Sequence, residues 1–313
     1  MNNFQIVHGE LKIDHRDLFN SCGTFVKYSD FSRGLFLFIS LFFVYLYQVK
    51  NEECMKKITA WAILFFWMAG IVSVNAQLNR KISIHSHNDY DQANPFWGAY
   101  NARSGSIEAD IFQIDGDLFV SHNLKDVKPE RTLRAIYLDP IRKMFEENGH
   151  SGYPNGETYQ LMIDLKTDAA STLPVLLKIL EEYKACFDHA NNPHAVKIVI
   201  TGHKLTPDRF GDYGENIFFD GLIGETYTPA QRKHIALVSQ TLRKYSSWNG
   251  KESMTKADQK KIKKLIKLAH RQGLKIRFWQ SPDTELAWRT AKKMKIDFIN
   301  SDHPAEVAAF LKQ

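Results

Sequence analysis

The apolar positions of this chain fall into short blocks separated by polar, helix-compatible stretches. Strand-sized runs occur at residues 82–87, 106–112, 160–166, 196–201, 218–223, 235–239, 274–280 and 297–301. An extra strand at 118–122 follows the second run through Asp115-Gly116, a turn-forming pair, and so predicts a hairpin. Helical spacing of three and four appears at 173–187. At 256–272 it places Ile262, Leu265, Ile266 and Ala269 on one face, with Gly273 positioned to end the helix. Further helices are predicted at 284–294 and 304–311. Eight strands alternating with helices over about 235 residues predict an α/β chain folded as a single-domain (β/α)8 TIM barrel. An open doubly wound sheet is the alternative. It would call for a glycine-rich phosphate turn after its first strand, and that turn is missing from the sequence.

Residues 1–76 break this rhythm. Met55-Lys56-Lys57 is a basic start, residues 58–74 are an apolar core, and Val74-Asn75-Ala76 supplies small residues before Gln77. That layout predicts a signal peptide over 55–76, cleaved before a catalytic domain at 77–313, and an exported protein, periplasmic or secreted. The position after the cut is not Cys, which argues against a lipoprotein anchor. Residues 1–54 hold a second apolar run of 15 residues, 35–49, short for a spanning helix. They read either as an over-extended frame upstream of Met55 or as a membrane segment that would anchor the protein. Beyond Ala76 one cysteine remains, Cys186, so no disulfide within the mature chain is expected and stability must come from the core.

Composition narrows the class without choosing the chemistry. With 44% hydrophobic and 24% charged residues the 313-residue chain can fill a core. A net charge of +6 favours anionic partners without a nucleic-acid signature. The chemistry sits at strand ends. Glu108 and Asp110 are two apart on a predicted strand and share a face, where two like charges need a cation or a basic residue. Asp164 ends the apolar run Leu161-Met162-Ile163, and Lys166 shares its face. The pair can form a salt bridge, or Asp164 can be a third metal ligand with Lys166 contacting phosphate. An oxygen-only ligand set points to one divalent cation, Mg²⁺ or Ca²⁺. His85 and His122 end strands on either side of the acidic pair, where one imidazole could act as base and the other as acid.

Taken together these residues resemble the phospholipase C-like phosphodiesterase superfamily, in particular glycerophosphodiester phosphodiesterases and the venom-type phospholipase D enzymes. The resemblance rests on His85 after strand one, Glu108-x-Asp110 on strand two, the Asp115-Gly116 turn, and His122. It continues with Ile163-Asp164-Leu165-Lys166-Thr167, Phe278-Trp279-Gln280 and Asn300-Ser301-Asp302-His303-Pro304. The opening His85-Ser86-His87-Asn88-Asp89-Tyr90 is especially similar to the altered-inheritance-of-mitochondria branch. The resemblance implies a barrel that cleaves a phosphodiester or phospholipid, with Glu108, Asp110 and Asp164 as metal ligands and His85 and His122 as catalytic residues. Lys166, Asn88, Trp279 and Asp302 would bind substrate. Peripheral membrane contact and a monomeric state are expected. One departure is plain: the glycerophosphodiesterase pattern has His-Arg-Gly where this chain has His85-Ser86-His87, so the phosphate-binding arginine needs a substitute, with Lys166, Asn88 or Arg103 as candidates.

Two rivals stand beside this reading. His85-Ser86-His87 with His203 and Asp302 could form a zinc or manganese hydrolase site, which would leave the three carboxylates without a role. Alternatively, the chain could be an exported module that binds anionic lipid without turnover, helped by Lys260, Lys261, Lys263, Lys264 and Lys267. The solvated outer face of a barrel helix is the simpler account of those lysines.

Overall fold

A computed structural model describes residues 81–313. The expectations for residues 1–54 and 55–76 lie outside the described residues. Nine strands are described: β1 (Ser83–Ser86), β2 (Ser106–Ile114), β3 (Asp117–Val120), β4 (Gln160–Leu165), β5 (Lys197–Gly202), β6 (Ile217–Leu222), β7 (Ile235–Thr241), β8 (Lys275–Trp279) and β9 (Phe298–Ser301). They run in the order β1-β9-β8-β7-β6-β5-β4-β2-β3, and β1 also pairs with β2. That extra pairing closes eight parallel strands into a barrel. β3 stays outside the ring, antiparallel to β2, with Ile111 opposite Val120. The TIM barrel is therefore the fold, and each of its eight strands overlaps one of the runs read from the sequence.

The helices, in chain order, are α1 (Trp97–Asn101), α2 (Asp139–Glu147), α3 (Ala169–Glu181), α4 (Lys184–Phe187), α5 (Pro229–Arg232), α6 (Lys256–Arg271), α7 (Glu285–Met294) and α8 (Pro304–Leu311). α6 begins where Thr255 accepts the Asp258 N–H, and Gly273 follows it at φ 78°, as its spacing predicts. The single helix expected over 173–187 is two helices. Tyr183 leaves helical geometry at φ −118° and ψ 18°, and its hydroxyl donates to Asp139 at the head of α2, 2.7 Å away. The sequence reading passed over α2. Its buried face is marked by only two residues, Ile141 and Phe145, one turn apart, and Pro140 stands in its first turn.

Strand pleating sorts the side chains. Ile107, Ala109 and Ile111 of β2 face the apolar layer beneath the helices, with Ile163, Leu173 and Leu176. Inside the ring, Met162, Val199, Leu237 and Phe298 form a separate cluster drawn from four strands. This plug makes the barrel a packed core, so polar inward-facing residues collect at the C-terminal rim. Among the described residues no helix is long and apolar enough to cross a membrane.

Candidate active site

The outward set Ile107, Ala109, Ile111 forces its neighbours Ser106, Glu108 and Asp110 inward. In the β2–β4 ladder Asp110 lies directly beside Asp164. Ligand oxygens of Glu108, Asp110 and Asp164 all lie within 4.8 Å of one another. Among the described residues this is the one group of three or more His, Cys, Asp or Glu side chains close enough to share an ion. Burial raises the Asp164 carboxyl, and the Asp110 charge beside it pushes the same way, so Asp164 stands at about 6 against the opposing pull of Lys166. Glu108 moves oppositely. Burial would raise it, but the groups packed against it, the Arg277 guanidinium among them, outweigh that cost and hold it well below the usual carboxylate range.

Lys166 turns back into this cluster, with Nζ 2.8 Å from Asp110 Oδ2 and 3.3 Å from Asp164 Oδ1. Burial lowers its ammonium, while Asp164 and Asp110 more than reverse that and raise it. The salt bridge and the shared site are thus one arrangement. Asp110 Oδ2 also takes the Tyr90 hydroxyl at 2.6 Å and His122 Nδ1 at 2.9 Å. Burial and Asp110 push the Tyr90 phenol far up, so it remains a donor.

The histidines sit at different depths. The His122 side chain is 56% exposed, and with Nδ1 on Asp110 its Nε2 is left toward the open face. His85 is fully buried below the rim: Nδ1 meets Ser106 Oγ at 2.7 Å, and Nε2 lies 3.3 Å from Glu108 Oε2 and against an Arg277 nitrogen. Burial, reinforced by the Arg277 charge, holds its imidazole at about 3, so it is neutral. His87 lies two residues further along the same face and reaches the rim. Its Nδ1 is 2.7 Å from Asp302 Oδ1, and its Nε2 is 4.0 Å from Glu108 Oε2. Two imidazoles thus face the opening, each held at Nδ1 by a carboxylate, and they are His87 and His122.

The remaining expectations divide. Asn88 adopts φ 45° at the rim; its N–H donates to Glu108 Oε2 at 3.2 Å and its side-chain amide lies 2.9 Å from the Tyr90 hydroxyl oxygen. Trp279 ends β8 on the same rim, and Asp302 follows β9 there. Arg103 is a correction. It precedes β2 at the opposite rim, where it stacks over Tyr153 at 4.6 Å and pairs with Glu157 at 3.4 Å, so it is no substitute for the missing arginine. Among the described residues, the histidines and Asp302 of the zinc alternative form no group of three ligands close enough to share an ion. Two residues went unread altogether. Arg277 of β8 and Asp220 of β6 are buried inside the barrel, 3% and 2% exposed. The alternation Lys275, Arg277, Trp279 could have flagged the arginine as inward-facing.

Comparison with known proteins places part of the chain in a described family of domains. Residues 75–206 match the AIM6-like phosphodiesterase domain. That stretch carries β1 to β5, the three carboxylates, both rim histidines and Lys166. A relative from Arthroderma benhamiae, altered inheritance of mitochondria protein 6 homolog, is 25% identical over 71% of this chain and 81% of its own. Altered inheritance of mitochondria protein 6 of Eremothecium gossypii is 25% identical over 76% of this chain and 72% of its own. Among solved structures, a glycerophosphodiester phosphodiesterase from Parabacteroides distasonis superposes with a TM-score of 0.48 at 12% identity, covering 74% of this chain and 97% of that one. The resemblance read from the His85-Ser86-His87-Asn88-Asp89-Tyr90 opening is borne out at the level of the AIM6-like phosphodiesterase domain over residues 75–206.

Proposed function

We propose that this chain is a divalent-cation-dependent phosphoric diester hydrolase. The observation that carries the reading is the placement of His87 and His122, each aligned by a carboxylate, around three clustered carboxylates and a lysine. The cluster fits a hard cation: its donors are oxygen only, and ligand oxygens of all three carboxylates lie within 4.8 Å of one another. Glu108, Asp110 and Asp164 would hold Mg²⁺ or Ca²⁺, which when bound supplies neutralisation of charge on a phosphate oxygen.

The protein's own groups do the rest. Lys166, whose Nζ stands beside Asp110 and Asp164, is placed to donate its ammonium to a phosphate oxygen at the rim. His122, with Nδ1–H given to Asp110, presents Nε2 to accept a proton from the attacking hydroxyl or water. His87, held by Asp302, returns a proton to the leaving alkoxide, and the two can exchange roles. His85, buried and neutral, is engaged beneath the rim by Arg277 and Ser106, and His87 takes the catalytic place that the strand-one motif gave to His85. A groove of about 750 Å³ opens beside His122 and is lined by polar groups including Gln92, Asn123, Lys125, Lys128 and Arg131. It suits a hydrophilic alcohol portion of the diester. The signal-peptide layout of 55–76 further supports export.

The test is hydrolysis of a chromogenic phosphodiester, and of soluble and lipid diesters, before and after chelation. Activity lost to chelator, regained with Ca²⁺ or Mg²⁺, and missing in His122→Ala is expected. Hydrolysis indifferent to both treatments defeats the reading.

A further inference from the structure

Beneath the three carboxylates lies a charged layer that the mechanism above does not use. Arg277 points inward from β8. Its guanidinium stands 3.8 Å from Glu108 Oε1 and 3.9 Å from Asp220 Oδ2, and one terminal nitrogen meets His85 Nε2. Asp220 is itself fixed by the Ser239 hydroxyl and by Thr201 Oγ1 at 3.2 Å. A guanidinium has five N–H donors and no acceptor. His85 Nε2 must therefore be the acceptor, which leaves the ring proton on Nδ1, donated to Ser106 Oγ. It follows that no proton lies between His85 Nε2 and Glu108 Oε2, although they approach to 3.3 Å. His85 cannot serve as the counter-charge of Glu108. Arg277 does.

We propose that Arg277 is a positioning residue for the cation site, acting through Glu108 and fixed from behind by Asp220. This rests on the reading of the acidic cluster as that site. Its position explains three features together. The guanidinium draws Oε1 of Glu108 downward and leaves Oε2 to the Asn88 N–H at the rim. It imposes the His85 tautomer. It also offsets one of three crowded negative charges without occupying the space above them, as Lys166 does. Two buried atoms of this layer, Arg277 Nε and Asp220 Oδ1, have no partner. An arginine kept here against that cost, where an apolar residue would pack, is consistent with a role in geometry more than in stability.

The experiment is cation binding to the purified protein, measured by titration calorimetry with Ca²⁺ and with Mg²⁺, independently of turnover. Arg277→Lys keeps the charge and loses the fork. The expected result is a Kd raised about ten-fold or more, as for other residues that orient a ligand, while the cation-free Tm stays close to that of the parent. Asp220→Asn, which touches none of the three carboxylates, should raise Kd in the same direction by a smaller factor. Should Arg277→Lys fail to fold, Asp220→Asn alone decides. An unchanged Kd in a folded variant, whatever its Tm, overturns the proposal and makes Arg277 merely structural. If the parent binds neither ion, the cation-site reading itself falls.

Discussion

At the scale of single residues, the site depends on which polar atoms are already engaged. His122 and His87 each use Nδ1 on a carboxylate and keep Nε2 for chemistry, while His85 has both nitrogens committed inside the barrel. Alanine at His87 or His122 should lower kcat by about 10²-fold or more with Tm held, the usual weight of a positioned acid or base. His85→Ala should instead lower Tm; full stability with lost activity in that variant would reverse the assignment. Lys166→Met removes the ammonium from between Asp110 and Asp164. We expect a loss of about 3 kcal/mol in cation-free protein, from carboxylates left unpaired, measured by denaturant titration and largely restored by saturating cation. The carboxylates were legible in the sequence because alternation fixes which face Glu108 and Asp110 share. Depth was not legible. A His-x-His pair places both imidazoles on one face without saying which clears the rim, and nothing local to Arg277 announces its partner strands.

At the scale of elements, the rim depends on strand ends that admit no extra atoms. Gly202 closes β5 at φ 75°, and a Cβ built there would run into Asp164 Oδ1 and lie 2.6 Å from the Leu165 carbonyl oxygen. Gly202→Ala should therefore cost about 1–2 kcal/mol of stability from the left-handed backbone alone. It should also weaken cation binding by displacing Asp164, a second effect that calorimetry separates from the first. The loop after β1 is fixed differently. Asp89 is buried and accepts from Ser86 Oγ at 2.9 Å, Phe96 N–H at 2.6 Å and Tyr137 OH at 3.0 Å, which pins the turn carrying His87 and Asn88. Those partners lie up to 48 residues away, so the role of Asp89 could not be read along the chain. The strands were readable because each is a continuous or alternating apolar run. α2 was not, since only Ile141 and Phe145 mark its buried face and Pro140 interrupts its first turn.

At the scale of the molecule, closing the ring ties the site to global stability. β1 contributes only four residues, yet it pairs with both β2 and β9 and so completes the barrel that gathers the rim residues. All eight ring strands fall within residues 83–301, so removal of a leader after Ala76 would leave the ring whole. In such a chain Cys186 is the one thiol. It lies in α4, 3% exposed within the main apolar cluster, and burial pushes it up to about 11, which leaves little thiolate at neutral pH. A thiol reagent should therefore leave the folded chain unlabelled and modify it along the same denaturant curve that tryptophan fluorescence follows, as one cooperative barrel requires. Cation held at a hundred times its Kd should move both curves together, by about 2.7 kcal/mol for a single site that exists only in the folded state. Labelling that runs ahead of fluorescence would instead mean that the α3–α4 segment opens while the ring stays closed. A cation shift in fluorescence without a matching shift in labelling would show that the ion stabilises the rim and not the barrel as a unit.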